Sequence, residues 1–279
     1  MQPWRFLEIK FVIGTICLGA IVLLALLGGL VAGHDPNEQN LMFALEPPFG
    51  IESGYYLGTD HLGRDLLARM TSGARISLAI AGSVVMLSGV VGVLIGALSG
   101  YLAGARDAVI QKVVETFWAF PPILLAIAIL AFFGPSLGNV IIALTIQRWI
   151  PYCRIARAQA LMLRSREYIS AAKIMGGGTG WILRHHVLPN LLASAIIIAT
   201  FTMATAILAE SSLSFLGLGV PPNVPTWGGM LAEGRSYITR AWWLAVLPGL
   251  GIFLTVLGLN LLGDWLRDQL DPKAALNLS

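Results

Sequence analysis

The chain has 279 residues, 56% of them hydrophobic and only 12% charged, with a mean hydropathy of +0.77. Soluble domains carry about a quarter charged residues, so the composition excludes an ordinary soluble domain and indicates an all-α membrane protein. The net charge of +3 and pI near 9.0 do not indicate nucleic acid, because the basic residues fall in short loops between apolar runs, where membrane topology explains them.

Six apolar segments follow in chain order. Arg5 and Lys10 precede the first, residues 11–32. It exceeds the ~7–15 apolar residues of a cleaved signal and matches the ~20 of a spanning helix. Residues 1–33 are therefore read as a retained anchor helix. An external segment, 34–76, is rich in Asp, Glu and Pro. The second span, 77–102, sets Gly89, Gly92 and Gly96 near one face, where another helix can approach closely. The third is 117–134 and the fourth 137–152. Arg148 falls near the end of the fourth, where it can snorkel to the interface.

The loop 153–190 is the most basic part of the chain. The fifth span, 191–213, leads into a Gly- and Pro-rich external loop, 213–241. The sixth, 242–263, contains Pro248, and a tail follows at 265–279. The five-helix core is 77–264. With the N-terminus inside, every Lys and Arg except Arg64, Arg69, Arg75, Arg235 and Arg240 lies on the cytoplasmic side, as the positive-inside rule requires. Six spans put both termini in the cytoplasm.

Chemistry inside the membrane is sparse. The run Met175-Gly-Gly-Gly-Thr-Gly180 lacks the Lys-Ser/Thr of a phosphate loop, so the chain has no ATP site of its own. His185 and His186 are adjacent and face apart on a helix, unlike the i, i+4 pair of a zinc helix. Cys17 and Cys153 show neither metal-ligand spacing nor a disulfide framework. No metal or catalytic group is assigned. Glu115 and Glu210 lie near span ends; a charge at that depth is either a functional site or a side chain that snorkels to the interface. An intramembrane hydrolase would need a nucleophile and base or a metal pair, and neither stands out. A receptor or scaffold without transport is the other reading.

The segment SREYISAAKIMGGGTGWILRHHVLPN, residues 165–190, has more order than a loop that only sets topology. Residues 167–175 have helical composition with a small face at Ser170, Ala171 and Ala172. Residues 176–180 break the helix. Residues 181–187 form a second short helix, which Pro189 stops. Such a helix–bend–helix suits insertion into a groove on a partner.

This segment resembles the coupling motif of ABC-importer permeases: Glu-Ala-Ala, three residues, Gly, nine residues, then Ile-x-Leu-Pro. Ala171, Ala172, Gly176, Leu188 and Pro189 match in spacing. Ser170 replaces the glutamate, His186 stands at the Ile position, and Glu167 supplies an acidic start. GTDHLGRD at 58–65, followed by Arg69, Gly73, Arg75 and Ser77, resembles the second, C-type permease of the dipeptide, oligopeptide and nickel branch. SFLGLG at 214–219 leads into Trp227-Gly228, and NLLGD at 260–264 into Leu270-Asp271-Pro272; both resemble it too.

The resemblance implies the permease fold of a type I ABC importer in the bacterial plasma (inner) membrane. It implies a second homologous permease subunit, two cytoplasmic ATPases that hold ATP and Mg, an external substrate-binding protein, and a lipid surround. No nucleic acid and no cofactor on this chain are expected. Its site residues would be Glu167, Ser170, Ala171, Ala172, Gly176, Leu188 and Pro189 for ATPase coupling. An external motif would comprise Gly58, Asp60, Gly63, Arg64 and Asp65, and an external loop Leu216, Gly217, Gly219, Trp227 and Gly228. Di- or oligopeptides are the implied substrate, with nickel or another metal chelate as the alternative.

Overall fold

A computed structural model describes residues 3–49 and 54–270. Lys273, Asp271 and Pro272, with most of the 265–279 tail, lie outside these described residues. The described chain is helical: α1 Pro3–Ala32, α2 Leu66–Leu102, α3 Gly104–Trp118, α4 Pro122–Phe133 and α5 Leu137–Arg164. There follow α6 Glu167–Ile174, α7 Thr179–Ile182, α8 Leu188–Phe215, α9 Trp227–Gly234 and α10 Trp243–Leu270.

Among the described residues, four helices are long and apolar enough to cross a bilayer: Glu8–Ala32, Leu66–Leu102, Thr179–Phe215 and Trp243–Leu270. The pair α3 and α4, bent by 80°, makes up to a fifth. The expected count of six takes α5 as the remaining crossing, although it carries Arg148, Arg154, Arg157 and Arg164. These charges are partnered. Arg157 makes two 2.7 Å bonds to Asp107, and the Arg154 guanidinium sits 4.7 Å from the Trp118 ring centre.

Several expected boundaries move, each for a local reason. The second helix begins at Leu66, eleven residues before the expected 77, because Asp65 caps it by accepting from Leu67 N and Ala68 N. The third span is not one helix over 117–134. Pro121 and Pro122 remove backbone donors and break it, and Gln147 of α5 donates to the Phe117 and Phe120 carbonyls at 2.9 and 2.8 Å. The fourth does not end at 152: α5 runs through Pro151 to Arg164, so Arg148 lies mid-helix rather than near a helix end. Pro189 does not stop a helix either. A π-helical turn, Leu183–Val187, absorbs the missing donor and passes straight into α8.

Helix directions follow from side-chain pairs. Along α2, Gly92, Gly96 and Gly100 meet Trp149, Cys153 and Arg157 backbone oxygens in the same order, so α2 and α5 run parallel. A Cβ on Gly96 would lie 2.9 Å from Ala156 Cβ, which confirms the expected small-residue face. Gly14 meets Leu262, Lys10 pairs with Asp268 at 3.0 Å, and Gly28 meets Thr71, so α1 is antiparallel to both α10 and α2. The start of α1, the ends of α2, α5 and α10, and all of α6 therefore share one end of the bundle. Lys10, Arg164, Lys173 and Arg267 collect there. Cys17 and Cys153 are buried, free and used in helix packing.

Candidate functional site

At the basic end, α6 and α7 form the expected helix–bend–helix. Gly176 N donates to Lys173 O and Gly177 N to Ala172 O, at 3.0 and 2.9 Å. These two bonds are a Schellman ending, which requires a left-handed residue; Gly176 supplies it at φ +89°. Ile169 and Ala172 point inward and join Ala97 and Tyr101 of α2, Ala156 and Ala160 of α5, and Ile182 in one buried cluster. The Lys173 ammonium lies 5.1 Å from the Tyr101 ring centre.

Glu167, Ser170, Ala171 and Gly176 face outward, as does Pro189, while Leu188 is half-buried. The small face expected at Ser170, Ala171 and Ala172 is thus divided. Ala172 anchors the segment, and the outer face adds Tyr168, Ile174 and Met175, the last two 87% and 81% exposed. His185 stacks on Trp181 with ring centres 4.9 Å apart, and His186 meets the same ring edge-on at 5.0 Å.

At the opposite end, the 58–65 motif is a closed loop. Gly58 and Gly63 are left-handed, and a Cβ at either would strike the Glu46 or Asn40 carbonyl. Asp60 accepts from Leu62 N at 2.8 Å, Arg64 N at 3.0 Å, Arg64 Nε at 2.6 Å and Arg69 Nη1 at 2.6 Å. Both guanidiniums continue to Glu233 of α9, at 2.9 and 3.0 Å. Burial opposes the Asp60 charge, but Arg69, the two backbone N–H groups and Arg64 together hold its carboxyl below the ordinary value.

Asp60, His61 and Glu233 offer ligand atoms within 4.8 Å of one another. Arg64 and Arg69 already neutralise both carboxylates, so a metal there would face two fixed cations. Asp65, besides capping α2, receives His34 Nδ1 at 2.8 Å.

The external loop packs on the same end. Trp227 is fully buried between Gly73 of α2 and Gly251 of α10, and its Nε1 donates to Met70 O at 3.1 Å. Gly228 and Gly219 press against Ser211 and Ser214 of α8. Leu216 and Gly217 stay exposed at the turn. Glu210 does not snorkel: it is 1% exposed and takes a 2.7 Å bond from Ser214. Glu115 is exposed, with Lys112 4.0 Å away.

Sequence reasoning missed three participants. Glu233 belongs to none of the motifs, and only its placement completes the Arg64–Arg69 cluster. The Pro121-Pro122 pair was a readable break signal. The third is the space that this break opens, a cavity of about 580 Å³ between α4, α5 and α8 that includes Gln147, Arg148 and Thr205.

Both ends and the broken helix bear on comparison with known proteins. A family model described as "binding-protein-dependent transport system inner membrane component" matches residues 92–276. The chain belongs to this family. A second model, the N-terminal transmembrane domain of oligopeptide transport permease C, matches residues 10–48 of the permease.

The permease is 45% identical over 263 residues to the di/tripeptide transport system permease protein DppC of Pseudomonas aeruginosa, covering 93% of this chain and 87% of that one. It is 38% identical to the probable D,D-dipeptide permease of Escherichia coli (94% and 87% covered) and 37% identical to the oligopeptide permease OppC of Bacillus subtilis (98% and 90%). Among solved structures it is similar to an inward-facing MetNI methionine ABC transporter, with TM-score 0.57 and 19% identity over 70% of this chain and 93% of that one. The last likeness establishes an ABC-transporter permease fold. The chain is an inner-membrane permease subunit of a binding-protein-dependent ABC importer, and such a subunit works in a complex with ATPase and binding-protein partners.

Proposed function

We propose that the permease forms half of a translocation path for di- or oligopeptides. A second homologous permease subunit would complete the path, two cytoplasmic ATPases would drive it, and an external binding protein would load it. The similarity to peptide permeases across nearly the whole chain supports the substrate class. Both chain ends and α6 would lie in the cytoplasm, with α5 as the sixth crossing and no ATPase site on this subunit.

One observation carries the coupling role: α6 is gripped from inside by α2 and α5 through Ile169 and Ala172, yet presents Ala171, Ile174 and Met175 outward. A push on that outer face by a closing ATPase pair would reach α2 and α5 as a rigid-body shift rather than being lost in a flexible loop. The external cluster Asp60–Arg64–Arg69–Glu233 would hold the opposite mouth in one arrangement.

A deletion strain complemented with this chain and its partner subunits tests the proposal by uptake of labelled dipeptide against labelled nickel. Dipeptide uptake alone is expected. Gly176→Pro, which cannot adopt φ +89°, should abolish uptake while the subunit still reaches the membrane. Nickel uptake without peptide uptake overturns the substrate; unchanged uptake in Gly176→Pro overturns the coupling role.

A further inference from the structure

Arg148 stands eleven residues after the start of α5 and sixteen before its end. At 1.5 Å per residue, it is roughly 17 Å from one end and 24 Å from the other. A hydrocarbon core is about 30 Å thick, so the guanidinium lies deep within it when α5 crosses. Nη1 donates to Thr205 Oγ1 at 2.6 Å and Nη2 to the Thr205 carbonyl at 2.9 Å. Both partners are neutral. Among the described residues no carboxylate lies within ion-pair distance of Arg148, whereas Arg64, Arg69 and Arg157 each hold one. A cation at such depth is costly and marks a functional site.

Arg148 also lines the cavity of about 580 Å³ that the Pro121-Pro122 break opens. That volume is in the range of about 300–1,000 Å³ typical of small-molecule sites. Trp118, Pro121 and Leu144 make the wall apolar, and Thr205 and Gln147 add neutral polar groups. Among the described residues, Arg148 is the one charged side chain lining it.

The geometry points to Arg148 as the contact for the terminal carboxylate of a peptide passing through this cavity. This assignment rests on the peptide reading above. The terminal carboxylate is the anion that linear peptides share whatever their side chains, and a guanidinium recognises it through two parallel bonds. The apolar wall would accept varied side chains. The two bonds to Thr205 hold the guanidinium in place while the cavity is empty, and a charged acceptor in this low-dielectric setting outcompetes a neutral one. The contact is single, so the peptide can leave again, as permeation requires.

The test uses proteoliposomes holding the complete importer, with a dipeptide or its C-terminal amide supplied at concentrations that saturate the binding protein. The wild type should favour the acid by about tenfold, the size of one charge-assisted bond. Arg148→Gln, reconstituted in amounts matched to the wild type, should bring the acid-to-amide ratio to about one, with Arg148→Lys intermediate. A wild-type ratio near one overturns the assignment. So does an Arg148→Gln variant that lowers acid and amide uptake equally, which would mark a fixed counter-charge on another subunit or a structural role. Should Arg148→Gln fail to assemble, Arg148→Lys decides: an unchanged ratio overturns the assignment. Wild-type uptake of nickel and of no peptide overturns the substrate reading and this assignment together; peptide uptake with an unmoved ratio overturns the assignment alone.

Discussion

Replacing Asp60 with Asn removes one negative charge from a cluster that holds two carboxylates and two guanidiniums. Asp60, Arg64 and Arg69 are 3%, 6% and 2% exposed, whereas the Glu233 side chain is 27% exposed. The amide keeps the shape and one acceptor for Leu62 N and Arg64 N, but leaves both guanidiniums to share Glu233. Breaking a buried pair costs about 3–5 kcal/mol; the partial wetting of Glu233 places Asp60→Asn near the lower end of that range. Glu233→Gln, at the wetter position, should cost about 1 kcal/mol.

The assay is denaturant-dependent unfolding of the purified complex, followed by protease cleavage within residues 34–65. Because the folded Asp60 carboxyl titrates below its ordinary value of 3.8, its contribution is complete above that value. It is lost only as pH falls through the lower folded value. Protection should therefore be flat from neutral pH down to about 5 and fall in strong acid, a step that Asp60→Asn lacks. An Asp60→Asn cost under about 1 kcal/mol, or one smaller than that of Glu233→Gln, would refute the assignment of Asp60 as the hub of the cluster.

Two further outcomes are expected. Gly96→Ala places a methyl 2.9 Å from Ala156 Cβ and against the Cys153 carbonyl, so it should destabilise the α2–α5 pair by about 1–3 kcal/mol in thermal unfolding. Gly82→Ala, on the same helix with nothing within 4 Å, should be neutral. Gln147→Leu strips the Phe120 carbonyl of its donor at the α3–α4 break; it should cost about 1–3 kcal/mol and lower uptake, and equal thermal stability would show that the break needs no support.

Much of the fold was legible because a bilayer demands long apolar runs and punishes exposed backbone, so hydropathy marks α1, α2, α8 and α10. The Ala171-Ala172…Gly176 spacing likewise read as helix and break, since a helix ending needs a left-handed residue and the sequence offers Gly. Helix ends were less legible. Asp65 starts α2 early through a side-chain cap, and α5 outruns its apolar stretch because Asp107 and Trp118, distant in sequence, accept Arg157 and Arg154.

What the sequence by itself determined is a polytopic helical membrane protein with a basic helix–bend–helix segment, because composition, periodicity and local spacing are properties of neighbouring residues. Tertiary structure alone decided which face of α6 is free. Ala172 and Ala171 are chemically identical neighbours, and only packing against α2 and α5 buries one and exposes the other. It also decided that Glu233 closes the external cluster and that Arg148 faces a cavity. Each of these depends on contacts across tens to hundreds of residues, which no local pattern encodes.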